Sequence, residues 1–174
     1  MTSQRRFELA QVNIALPREP LDVPLLADFV TALAPVNAAA DSSPGFVWRL
    51  ATDEGNATAV RAFGDERLIV NLSVWESLEA LRAFVYGQRA HRDVLRHRRE
   101  WFERLGESTV VLWWVPAGHR PSIAEAEQRL AALHADGPTP AAFSFRESFA
   151  PPLSPGDGRG PANVDPRALC PAGD

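Results

Sequence analysis

The chain has 174 residues, 45% of them hydrophobic and 23% charged, with a net charge of -4. That is the size and balance of one soluble globular domain with a substantial core, and the acidic sign gives no electrostatic ground for expecting nucleic acid. All eighteen basic residues are arginine, which excludes lysine chemistry such as a Schiff base, and the single Cys170 excludes an internal disulfide.

Met1 to Arg6 lead into a strand-like run with no apolar signal segment, and no apolar run reaches membrane-spanning length. The expectation is a cytoplasmic protein with no membrane partner. Phe7 to Ile14 reads as a strand, with Gln11 and Asn13 on the face shared by Phe7 and Leu9. Leu25 to Leu33 follows helical spacing through Leu26, Phe29, Val30 and Leu33, and Pro35 should end or kink it. Ser43-Pro44-Gly45 is a turn into a strand, Phe46 to Thr52. Strict alternation there puts Phe46, Trp48 and Leu50 on one face and Val47 and Arg49 on the other.

Asp53 to Asn56 has hairpin-loop chemistry, and Ala57 to Phe63 reads as a short edge segment. Arg67 to Val74 is the clearest strand: Leu68, Val70, Leu72 and Val74 against Ile69, Asn71, Ser73 and Trp75. Ser73 and Glu76 have the spacing of a capping box opening the next helix, which runs to about Tyr86.

After Gly87 comes Arg89 to Leu105, a helix with Gly106 as its cap. Val94, Leu95, Trp101, Phe102 and Leu105 fall within roughly one third of its circumference. His91 and Arg98 sit near the middle of that stripe, about 10 Å apart along the axis. Thr109 to Val115 is nearly continuously apolar, as in a strand covered on both faces. Ser122 and Glu125 form a second capping box, the helix ends at Gly137-Pro138, and Phe143 to Phe149 reads as a last strand. From residue 151 Pro, Gly and Asp dominate without periodicity, so the expectation is a domain over 1–150 and a disordered tail over 151–174.

The order is that of an α+β, ferredoxin-like βαββαβ sheet with helices on one face. Strands apolar on both sides need a second cover, most simply an identical sheet from another subunit. The expectation is a homodimer closing into an α/β barrel.

A charged group centred on an apolar helix face needs a partner or a water-filled pocket. His91 has two readings: a proton acceptor or ligand near neutral pH, or a core histidine bonded to a neighbour. Arg98 holds an anionic oxygen or closes an internal ion pair. Asn71, Ser73, Asn13 and Gln11 make one polar patch if the first and third strands are neighbours, either a pocket floor or a water-bridged network. Trp48, Trp75, Trp101, Trp113 and Trp114 line an aromatic pocket or pack the core. No Cys/His cluster has zinc spacing, which leans away from metal chemistry, although one histidine suffices for haem.

At Ser43-Pro-Gly-Phe-Val-Trp48, Asn71-Leu-Ser-Val-Trp-Glu-Ser-Leu78 and His91, the chain resembles the antibiotic-biosynthesis-monooxygenase-like, dimeric α/β-barrel superfamily. At Trp101-Phe102, Leu112-Trp-Trp-Val-Pro-Ala-Gly-His-Arg-Pro121 and Gly137-Pro-Thr-Pro140 it resembles, more narrowly, the DUF3291 family, a group of unknown function. The superfamily includes cofactor-free monooxygenases, polyketide cyclases, haem enzymes and binding proteins, so fold alone does not fix function. The resemblance implies that Asn71, Trp75, Tyr86 and His91 stand where the monooxygenases place Asn, Trp, Tyr and His around a quinol.

Two functions follow as expectations. One is an enzyme acting without a cofactor on a small aromatic or polyketide-type metabolite. There His91 is the base, Asn71 and Arg98 stabilise the oxyanion, and the aromatics hold the ring with Asn13 and Ser73. The other is a non-catalytic protein that binds a similar ligand, or haem through His91.

Overall fold

The computed structural model describes residues 7–51 and 63–153, without the side chains of Ala90, His91 and Leu95. The expected loop at Asp53 to Asn56, most of the edge segment after it and the tail from residue 154 lie outside the described residues.

Four strands, β1 (Phe7–Ala15), β2 (Phe46–Arg49), β3 (Ile69–Trp75) and β4 (Val110–Pro116), form one antiparallel sheet in the order β2-β3-β1-β4. The helices are α1 (Ala27–Asp41), α2 (Leu78–Arg82), α3 (Arg89–Trp101) and α4 (Ile123–Asp136). One π-helical stretch, Ala83–Gly87, joins α2 to α3. This is the ferredoxin-like βαββαβ plan, followed by one extra helix. No helix among the described residues is long and apolar enough to cross a membrane.

The register divides the sheet into two faces. Leu9 lies opposite Trp75 and Trp114, Gln11 opposite Ser73 and Leu112, and Asn13 opposite Asn71 and Val110. Cross-strand neighbours share a face, so these residues look one way. Ala10, Val12, Leu72, Val74, Val111 and Trp113 look the other. The first face is covered by the helices of the βαββαβ plan. Leu9, Trp75 and Leu112 pack with Ala40, Leu78, Leu81 and Phe84. Phe29 of α1 and Val94 and Trp101 of α3 form a neighbouring cluster that reaches Ile69.

The second face is covered within the same chain. Ala126, Leu130 and Leu133 of α4 pack on Ala10, Val12, Val111 and Trp113. The apolar face that called for a second subunit thus has its cover in α4, and a face-to-face homodimer would require α4 to leave the sheet. Ser122 caps α4 through the Glu125 amide at 3.1 Å, as expected, and Gly137 ends it with φ 71°.

The Glu125 carboxylate does not turn back to its own cap. It accepts from Trp113 Nε1 at 2.8 Å and meets His119 Nε2 at 2.7 Å. Burial alone would raise the Glu125 carboxyl, but these two bonds, helped by the nearby positive charge of Arg129, outweigh it and hold the group below its ordinary value. A carboxyl lowered by folding adds stability above its unfolded value, and that stability is lost as pH falls through the folded one. Acidification below about pH 5 should therefore lower the Tm of the natural chain more steeply than that of Glu125→Gln. Parallel slopes in thermal melts would remove this contact as a source of acid sensitivity.

Several elements depart from simple periodicity. Helix α1 runs through Pro35 to Asp41. The carbonyl that proline leaves without a helical partner belongs to Thr31, an exposed residue, so it is not stranded in the core. Val30, expected inward, is 42% exposed. The cap of α2 is Ser77, which accepts from the Ala80 amide at 3.1 Å, and not Ser73, which sits inside β3.

Helix α3 stops at Trp101. Phe102 is extended, and its strand-like bridge to Pro17 draws the chain toward β1, so Gly106 caps nothing. Leu105 joins the cluster under α4 instead of the α3 stripe. Phe143 makes a single bridge to Leu112, and among the described residues no strand follows it.

A bulge lies in β2. Phe46 pairs with Trp75, but Trp48 pairs with Val74 and Arg49 with Ser73. The extra residue splits the expected Phe46/Trp48 face: Phe46 stays with the α1–α2 cluster while Trp48 joins the α4 side.

The turn before β2 shows why its glycine is needed. Gly45 has φ 80°, and a Cβ there would come within 2.6 Å of the Ala80 Cβ of α2.

Candidate functional site

A cavity of about 680 Å³ lies between the sheet and helices α1 and α3. Its floor is the strand pair Asn13 and Asn71, with Ile69 and Val110 beside them. One wall is α1, through Phe29, Leu33, Val36 and Asn37, and the other is α3, through Val94 and Arg98. Arg18, Arg99 and the segment from Phe102 to Leu105 close one end, and Arg49 also lines the space. That volume is typical of sites for small organic molecules, and the lining mixes aliphatic and aromatic side chains with five arginines, two glutamates and three asparagines.

Alternation along β1 and β3 produces the floor. Gln11, Asn13, Asn71 and Ser73 all fall on the face turned toward α1 and α3. Gln11 Nε2 donates to Ser73 Oγ at 3.0 Å and to Asn71 Oδ1 at 3.4 Å, while Trp75 Nε1 donates to Ser73 Oγ at 2.9 Å. Buried Gln11 and Ser73 thus form a support that orients the Asn71 amide from below. Asn71 itself is exposed to the cavity.

The sequence-derived candidates other than His91 separate into three groups. Asn13, Asn71 and Arg98 come together around the cavity. Ser73 lies beneath it, 5% exposed, as a positioning hydroxyl. Trp48, Trp75, Tyr86 and Trp101 do not line it. Trp48 is on the α4 face because of the bulge, and Arg120 lies over its ring at 5.9 Å. Trp75 is 1% exposed and stacks on Phe84 at 5.1 Å. Trp101 packs on Phe29 at 5.8 Å, and Tyr86 is an exposed ring edge-on to Phe145 at 5.9 Å. The backbone of His91 belongs to α3, seven residues before Arg98; its side chain lies outside the described residues.

Arg98 is exposed, and among the described residues its side chain has no ion-pair or hydrogen-bond partner. The internal ion pair considered for it is therefore not present there. Asn37 and Arg49 join the lining without having been candidates. Asn37 falls one turn after Leu33 on the same stripe of α1, a signal hidden by reading Pro35 as an end or a kink. Arg49 is turned to this face by the bulge, for which the sequence carries no clear mark. Among the described residues no three His, Cys, Asp or Glu side chains gather as a metal site.

No protein of curated function matches the chain in sequence. Several solved structures align with the fold. SnoaB, a cofactor-independent oxygenase from Streptomyces nogalater, is 18% identical, with a TM-score of 0.40 over 67% of this chain and 96% of that one. Rv0793 from Mycobacterium tuberculosis is 13% identical, with a TM-score of 0.45 over 66% of this chain and 99% of that one. Protein SO0527 from Shewanella oneidensis is 12% identical, with a TM-score of 0.44 over 64% and 92%. Residues 8–157 match the family described as Domain of unknown function (DUF3291), and the chain belongs to that family.

Proposed function

We propose that the cavity between the sheet and helices α1 and α3 takes a small aromatic or polyketide-type metabolite, and that the chain oxygenates it without a cofactor. The observation that carries this reading is the convergence of Asn13, Asn71 and Arg98, from β1, β3 and α3, on one cavity that also presents Phe29, Leu33 and Val36. His91, one helical segment before Arg98, takes the proton of the phenol or enol. Asn71 and Arg98 stabilise the oxyanion that results. Phe29, Leu33 and Val36 hold the ring. The electron-rich carbanion then reduces dioxygen: a CH₂ and O₂ become a C=O and water, with both electron pairs supplied by the substrate. This role for His91 draws on the motif resemblance and on its place in α3.

The test is oxygen uptake by the purified chain with anthrone as probe. Uptake above the uncatalysed rate, lost in His91→Ala with the thermal melt retained, is the expected outcome. Saturable anthrone binding with no uptake would leave a non-catalytic binding protein. A Soret band in the absorption spectrum of the purified chain would replace the cofactor-free reading with a haem protein.

A further inference from the structure

The lining of the cavity is unbalanced in charge. Five arginines face it, Arg18, Arg49, Arg98, Arg99 and Arg104, against Glu103 and Glu107. Some of that charge is compensated inside the fold. Arg49 is paired with Asp41 at 2.8 Å, and Glu107 is drawn to His134 at 3.1 Å. Arg18 spends its Nε on the Arg99 carbonyl at 3.2 Å. Arg98, Arg99 and Arg104 meet no carboxylate among the described residues, and of these Arg98 is the one on the α3 wall itself, one helical turn beyond the apolar Val94. The chain as a whole is acidic, at -4, so this is a local excess and not a reflection of overall charge.

An unpaired guanidinium beside the apolar side chains of a cavity offers a planar fork of donors that stays charged at all physiological pH values. Its best complement is a carboxylate, which accepts two parallel bonds. A neutral quinol would leave the fork to water. On the reading that this cavity is the binding site, we propose that its ligand is an acid: an aromatic or polyketide-type carboxylate whose anionic group is held by Arg98. Its apolar body lies along Phe29, Leu33 and Val36, above the Asn13–Asn71 floor. Arg98 is then the residue that sets substrate class: it holds the carboxylate in place of sharing the ring oxyanion, which is left to the asparagine pair.

The probes are anthracenecarboxylate and its neutral carboxamide, matched in ring and size, titrated into the full chain and followed by fluorescence. The carboxylate should bind about tenfold more tightly or better, the range of a charged hydrogen bond. Arg98→Met should bring its affinity down to that of the carboxamide and leave the carboxamide unchanged. Arg89→Met, on a side chain 91% exposed and outside the cavity, should alter neither. In the natural chain, raising the salt should shrink the preference, which reads the same charge without a substitution. Equal affinities for the two probes, or a preference that survives Arg98→Met, would overturn the acid proposal while leaving the cavity as a binding site. No saturable binding of either probe would overturn both.

Discussion

Trp113→Ala is expected to lower stability by about 3–5 kcal/mol and the Tm by roughly 6–20 °C. The indole is 0% exposed on the α4 face, among Ala10, Val12, Val111 and Leu130. Its removal leaves a large hole between two layers that are otherwise closed. It also takes from Glu125 the donor that sits 2.8 Å away at the start of α4. Trp113→Phe separates the two losses, since it keeps most of the ring volume but no N–H. Thermal melts followed by far-UV circular dichroism read both variants. A loss below about 1 kcal/mol for Trp113→Ala would mean that α4 does not seal this face in solution.

Leu130→Asp should be worse, by at least about 5 kcal/mol, which is comparable to the whole stability of many domains. Leu130 is 3% exposed where α4 meets the sheet, and a carboxylate there has no water and no partner cation among its cluster neighbours. The same variant tests quaternary structure. With α4 as the cover, the charge unfolds a chain whose mass by light scattering is the 19.1 kDa monomer. If two copies pair through this face, the natural chain has twice that mass. In that arrangement α4 stands away from the sheet, and Leu130→Asp leaves both dimer and melt nearly intact.

Much of the fold is legible in residue alternation. The polar set Gln11, Asn13, Asn71 and Ser73 sits where period-two reading puts it, and adjacency of β1 and β3 brings it together. The caps of α4 are legible for the same reason: Ser122 and Gly137 act within a few residues of themselves. What escapes is set by contacts far along the chain. Trp101 ends α3 because residues 16–18 bond to the segment that follows, an event some eighty residues apart in sequence. Pro35 does not end α1 because the carbonyl it frees belongs to the exposed Thr31. The aromatic candidates show the ambiguity of composition. Trp75 and Trp101 have the chemistry of ligand platforms, but burial beside Phe84 and Phe29 makes them the packing behind the site.

The bulge in β2 has a consequence for how chain length can vary. A sheet counts residues in twos, so gaining or losing one residue in a regular strand exchanges every side chain beyond it between the faces. Val47 is the uncounted residue of β2. Without it, Phe46 would still pair with Trp75, Trp48 with Val74 and Arg49 with Ser73. Here, then, a single-residue deletion need not rewire the cavity: Arg49 keeps its place over the asparagine floor, and Trp48 keeps its place under α4. The same deletion at Ile69 or Val70, with the chain before it held in register, would carry Asn71 to the α4 face and put Leu72 into the binding space.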